Sequence, residues 1–223
     1  MPSFLSQPAA ARVVPFALFI AFLALNSLLG DASGIDTRWL YPVRTIVVGL
    51  ALLIFWKRYD ELRGTFRMPG GLWALAIVVG LAVFALWVNL DARWMLMGEP
   101  GKGYDPRDGG QINLVLALFR VLGASVVVPI MEELFWRSFV MRWIDNPRFL
   151  DVEATAATWK AVLISSAVFG VEHNEWFAGI VAGLAYAWLY RLTGNLRVPI
   201  VSHAVTNGLL GLWVLTTGAW HYW

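Results

Sequence analysis

The chain contains no cysteine, so it can hold no disulfide, no thiolate metal site and no thiol nucleophile. Charge is scarce as well. Asp, Glu, Lys and Arg make up 14% of the 223 residues, against about 25% in ordinary soluble proteins. Histidine occurs three times, and no internal repeat or low-complexity tract is present. A formal net charge of +2 provides no field for tracking phosphates, which argues against a nucleic-acid partner. What the chain does have is apolar residues, at 59%, with a mean hydropathy of +0.63. That excludes an ordinary water-soluble domain. At about 20 residues per span, seven spans take roughly 140 residues and leave roughly 80 for loops and ends, so no large soluble domain hangs on an anchor.

The apolar runs are Val13 to Gly30, Trp39 to Trp56, Gly71 to Leu90, Ile112 to Met141, Ala161 to Val171, Trp176 to Tyr190 and Val198 to Thr217. The first is longer than the apolar part of a secretory signal and no small-x-small site follows it, so it reads as an uncleaved span. Runs of this length exceed the roughly ten residues of a barrel strand and must satisfy their backbone groups internally, which favours helices. The expected fold is all-α: a polytopic membrane helical bundle of about seven transmembrane helices, forming a single integral membrane domain over residues 1–223. Gly98 to Gly110 is expected to be irregular. In alternate loops Lys and Arg divide ten to five in favour of the side holding Arg12, Lys57, Arg58, Arg142 and Arg197. By the positive-inside bias, that side and the N-terminus are cytoplasmic. Arg120, lying in the fourth run, is expected to face the interior or to snorkel to an interface.

Three polar constellations interrupt the last four runs. In Glu132-Glu133-Leu134-Phe135-Trp136-Arg137, helical spacing pairs Glu133 with Arg137, whereas Trp136 occupies the corresponding position for Glu132. A carboxylate in such a place, with no cation of its own, suits a general base. An interfacial charge cluster at a helix end is the competing reading. Phe169-Gly170-Val171-Glu172-His173 closes the fifth run, where a histidine is often merely interfacial, and Glu172 and Glu175 are expected to be solvated. His203 and Asn207 lie four apart on one face of the seventh run, as donors to a reacting group or as polar glue between helices. Ionisable groups gathered on three membrane helices are functional by default.

In order and spacing these motifs resemble the CPBP family of intramembrane proteases, which includes CaaX prenyl endopeptidases and bacteriocin-processing enzymes and is described as glutamic-type. The family shows Glu-Glu-x-x-x-Arg, Phe-x-x-x-His and His-x-x-x-Asn or Asp. The chain carries Glu132-Glu133-x-x-x-Arg137, Phe169-x-x-x-His173 and His203-x-x-x-Asn207. The resemblance covers about Leu114 to Leu215. It implies a motif-bearing protease core over 111–217, with the active site in the C-terminal four helices, preceded by variable helices over 1–110. It also implies that Glu132 activates water with His173 beside it, that His203 and Asn207 stabilise the oxyanion, and that Glu133 and Arg137 support them. Peptide hydrolysis without Ser, Cys or metal requires the same two elements, an activated water and donors aimed at the developing negative oxygen. The implied substrate is a membrane-embedded or lipidated peptide or protein, the implied setting is the lipid bilayer of the cell membrane, and no cofactor is implied.

Competing readings remain. A zinc ion held by Glu132, His173 and His203 would give a metalloprotease. The same polar groups could relay protons or hold a ligand in a transporter or binding protein. A rhomboid-type serine site lacks its Gly-x-Ser-Gly pattern at Ser125, and a presenilin-type site lacks a second intramembrane Asp.

Overall fold

A computed structural model describes residues 7–30, 36–64, 67–99 and 101–223. Seven principal helices follow the expected runs: α1 (Pro8–Leu29), α2 (Leu40–Ile54), α3 (Gly70–Trp87), α4 (Leu114–Asp145), α5 (Trp159–Val171), α6 (Trp176–Thr193) and α7 (Arg197–Thr217). The protein is therefore an all-α, polytopic helical bundle. By length and composition five segments can cross a bilayer: α1, α3, α4, α7, and Thr37–Ile54, which joins a 3₁₀ turn to α2. Helix α5 is shorter. Helix α6 is diluted by Gly, Tyr and Trp, and the structure supplies the reason. It buries Ala178, Gly179, Ala182, Gly183, Tyr186, Ala187, Leu189 and Tyr190, so it meets protein more than lipid and needs less hydropathy. The exposed apolar side chains that suit lipid lie elsewhere, among them Leu28, Leu53, Ile54, Leu114 and Leu118.

Local chemistry sets the helix ends. Pro8 begins α1, where its missing N–H costs nothing. The Asn113 side chain accepts from the Val115 and Leu116 amides to start α4, and Thr158 accepts from Ala161 to start α5. Gly194 and Gly218 close α6 and α7 in the left-handed conformation. Within the otherwise irregular stretch 98–110 the structure departs from expectation at one end. Strands β1 (Arg107–Asp108) and β2 (Gln111–Ile112) pair antiparallel around Gly109 and Gly110, both at positive φ. Two such glycines are what a two-residue hairpin turn demands.

Helix α4 is not uniform. Residues Gly123–Val127 and Glu133–Met141 are wound as π-helix, and the Val128 amide bonds to the Gly123 carbonyl five residues back. Pro129 explains the first of these turns, since it cannot donate to Ser125 and its ring crowds that carbonyl. π turns change the rotational phase of everything beyond them, here immediately before Glu132 and again from Glu133 onward.

Helices α5 and α6 approach through glycine. A Cβ on Gly170 would lie 2.4 Å from Ile180 Cγ1, one on Gly179 2.9 Å from Gly170 Cα, and one on Gly183 3.0 Å from Ser166 Cα. Small residues four apart, Gly179 and Gly183, let the backbones meet, as in membrane helix pairs generally. This seam holds the end of α5, and with it His173, against the bundle interior.

The loops expected on the Lys- and Arg-rich side do gather at one end. Arg12 bonds both carboxylate oxygens of Glu61 at 2.8 and 2.6 Å, Arg142 bonds the same carboxylate at 2.8 Å, and Ser138 also donates to it. Arg197 reaches the Arg63 carbonyl at 2.6 Å. Arg12 is almost wholly buried, so it ties α1 to the α2–α3 connection and to α4 rather than resting in solvent.

Candidate active site

Glu132 and Glu133 lie midway along α4, His173 just past the end of α5, and His203 and Asn207 on α7. Glu132, His173, His203 and Asn207 line one cavity of 260 Å³, together with Phe169, Glu172 and Tyr186. Three elements distant in sequence thus bring the four side chains to one space. The first half of the chain contributes walls as well: Phe16 and Phe19 from α1, Tyr41 and Arg44 from α2, and Trp87 from α3.

Glu133 is fully buried between a hydrogen-bond partner and an ion-pair partner. Its Oε1 is 3.0 Å from His203 Nδ1 and its Oε2 is 3.2 Å from Arg137 Nε. The helical pairing with Arg137 is present, and the bond to His203 is a connection that spacing within one helix could not supply. Arg137 in turn donates to the Gly183 carbonyl at 3.2 Å, and its guanidinium lies 4.4 Å from the Phe169 ring centroid. The motif phenylalanine therefore packs against the motif arginine.

Glu132 has no such cation. Its Oε2 is 3.9 Å from His203 Nε2 and lacks a hydrogen-bond partner in the described structure. That separation is too long for a direct bond and suits one bridging water. With Nδ1–H given to Glu133, a neutral His203 turns a bare Nε2 towards Glu132, whereas a protonated His203 turns a donor there.

His173 Nδ1 lies 2.9 Å from the Phe169 carbonyl, which takes the Nδ1–H of a neutral ring and leaves Nε2 as an acceptor. Trp87 packs edge-on against this ring with centroids 5.3 Å apart. Asn207 Nδ2 donates to the Ala124 carbonyl at 2.9 Å, a group in the first π turn of α4. One amide hydrogen is thereby committed and the other remains for a ligand.

Sequence patterns did not single out the aromatic frame. Tyr186 stacks on His203 with centroids 4.8 Å apart and planes at 17°, and its hydroxyl donates to Thr206 Oγ1 at 2.9 Å. Trp136, noted earlier only as the residue four positions after Glu132, donates its indole N–H to Glu172 at 3.1 Å. An aromatic residue on an apolar helix carries no chemical signal until its neighbours are known. The expectation that Glu175 is solvated is corrected: it is buried and, with Glu172, lines the cavity. The short turn between α5 and α6 carries Glu175 inward, while Glu172 remains exposed, as expected, although it borders the cavity. Among the described residues, no group of three or more His, Asp or Glu side chains is placed to hold a metal ion.

Residues 114–209 match the family model described as Rce1-like, type II CAAX prenyl endopeptidase. The matched segment contains all three motifs and runs from the start of α4 into α7. Neither a curated protein nor a solved structure matches the chain.

Proposed function

We propose, from the match of residues 114–209 to the Rce1-like CAAX endopeptidase family model, that this membrane protein hydrolyses a peptide bond of a membrane-associated or lipidated substrate, with Glu132 activating the water. The observation that carries the reading is the gathering of Glu132, a buried carboxylate with no Arg or Lys at ion-pair distance among the described residues, with two imidazoles and a carboxamide around one cavity. Water held between Glu132 and the Nε2 of His173 gives a proton to Glu132 as its oxygen bonds to the scissile carbonyl carbon. The carbonyl oxygen becomes negative and is met by the free Asn207 N–H and by protonated His203. Glu133 supports that protonated state by accepting from Nδ1 at 3.0 Å. Collapse of the intermediate breaks the C–N bond, and the proton taken by Glu132 goes to the leaving amine.

The protein sits in this proposal in the cell membrane with its N-terminus cytoplasmic, a reading supported by the clustering of Arg12, Glu61, Arg142 and Arg197 at the Lys- and Arg-rich end. The test uses purified protein in detergent and a quenched fluorescent series of prenylated and unmodified transmembrane peptides. Wild type cleaves. Glu132→Gln keeps the shape and removes the base, so cleavage falls by at least about 10²-fold. His203→Ala and Asn207→Ala each lower kcat by about 10²–10³-fold with KM nearly unchanged. Dialysis against a strong chelator leaves the rate intact. Loss on chelation with recovery on zinc would replace the glutamate mechanism by the metal one, and full activity in Glu132→Gln would overturn it.

A further inference from the structure

Beside the catalytic cavity lies a larger one of 690 Å³, built from α1, α2, the start of α4, the segment 102–105 and the C-terminal turn. The two cavities share Leu23, Tyr41, Arg44, Arg120 and Trp223 as walls. Both arginines come from apolar runs, where an uncompensated guanidinium is costly. Arg44 is only 7% exposed and lies 4.3 Å from the Phe19 centroid and 4.4 Å from the Tyr41 centroid. Arg120 lies 4.4 Å from the same Tyr41 ring, and its Nε is buried without a hydrogen-bond partner. Two like charges therefore share one tyrosine, and among the described residues neither has a carboxylate within ion-pair distance. Among the described residues the acid that lines this cavity is Asp105, which is engaged by Arg107 at 2.6 Å. Arg120 thus faces the interior, as expected, but its role there is not explained by the hydrolytic groups.

We infer that Arg44 and Arg120 form a subsite for a carboxylate of the substrate, either an acidic side chain or a free chain terminus. This rests on the reading of Glu132 as the hydrolytic centre. The joined space is charged unevenly, with the guanidiniums on walls common to both cavities and Glu132, Glu172 and Glu175 on the catalytic one alone. An acidic peptide therefore enters in one direction, its carboxylate drawn to the arginines and repelled from the glutamates. Planar guanidiniums suit a carboxylate, and rings on their faces leave the N–H edges for it. Arg120 precedes Glu132 by twelve residues, at most about 18 Å along a helix. At roughly 3.3–3.6 Å per extended residue, the carboxylate lies about five residues or fewer from the bond that Glu132 addresses. A lipid phosphate would bind the same charges, but walls shared with the catalytic cavity favour a ligand that occupies both.

The test measures binding, so it does not depend on turnover. Detergent-purified Glu132→Gln protein is titrated with dansylated prenylated peptides in three forms: free carboxyl terminus, C-terminal amide, and C-terminal amide with a Glu three to five residues from the prenylated position. Binding of a carboxylate form about 10–100-fold tighter than the plain amide is expected. Preference for the first form identifies the chain terminus, and preference for the third identifies a side chain. The preference disappears in Arg44→Gln and in Arg120→Gln, and Arg44→Lys and Arg120→Lys, which keep the charge, recover part of it. Helical circular dichroism of each variant checks the fold. Equal binding of all three peptides, or a preference that survives both Gln variants, overturns the inference. So does native mass spectrometry in which phosphatidylglycerol stays on wild type, leaves the Gln variants and blocks the acidic peptides, since the site would then hold a lipid phosphate. Failure here leaves the Glu132 cleavage test standing, and failure of that test leaves the binding comparison readable.

Discussion

Replacing Glu133 by Gln removes one negative charge and almost no volume, at a side chain that is 0% exposed and lies between two cationic or potentially cationic groups. The amide oxygen can still accept from His203 Nδ1. It no longer compensates Arg137, which is 1% exposed and has no other acid at ion-pair distance among the described residues. Breaking one side of a buried pair typically costs about 3–5 kcal/mol in stability. The effect on rate is separate. A protonated His203 loses a charge-assisted bond of about 1.5–3 kcal/mol, and at 1.4 kcal/mol per decade that lowers kcat by roughly 10–100-fold. The assay pairs thermal melting in detergent with kcat and KM on a cleaved peptide. A double-mutant cycle with Arg137→Gln separates the two effects. The double variant should be more stable than the sum of single losses allows, because no charge is left buried alone, while kcat stays low because His203 remains unsupported. Wild-type melting and wild-type kcat in Glu133→Gln would refute the reasoning.

Three further outcomes are expected. Glu61 should make the fold acid-sensitive. Burial works against its ionisation, but the Arg12 charge and the hydrogen bonds from Arg12 and Ser138 outweigh it and hold the carboxyl below its ordinary value. Its stabilisation is therefore complete above the unfolded carboxyl range near pH 4.3 and is lost as pH falls through the lower folded value. Melting temperature should drop over that acidic window in wild type, and Glu61→Gln should be less stable at pH 7 with a flatter profile; superimposable profiles would refute the assignment. Gly183→Leu should cost on the order of 1–3 kcal/mol by overpacking, since even a Cβ there is 3.0 Å from Ser166 Cα, and Gly183→Ala should cost less; a melting series checks the order. Tyr186→Phe removes the 2.9 Å bond to Thr206 but keeps the ring stacked on His203, so kcat should fall less than in Tyr186→Ala, measured on the same peptide.

Much of the architecture was legible in the order of residues. Apolar runs must close their backbone hydrogen bonds within themselves, so their lengths specified where helices lie, whereas the caps at Asn113, Thr158 and Gly194 that set their ends came from the structure. The spacing of Glu133 and Arg137 likewise specified a pair, because four residues of helix bring two side chains together without help from elsewhere. Partners across helices were not legible. That Glu133 also takes His203, that Asn207 spends one hydrogen on Ala124, that Tyr186 stacks on His203 and that Arg44 and Arg120 share Tyr41 depend on helix rotation. Rotation is set by the π turns of α4 and by glycine seams such as Gly179 against Gly170. Periodicity reports which face of a helix is apolar, but in lipid several faces are apolar at once. Which face meets a neighbour is decided by close packing and by pairing of buried polar groups, and those interactions exist only once the chain is assembled.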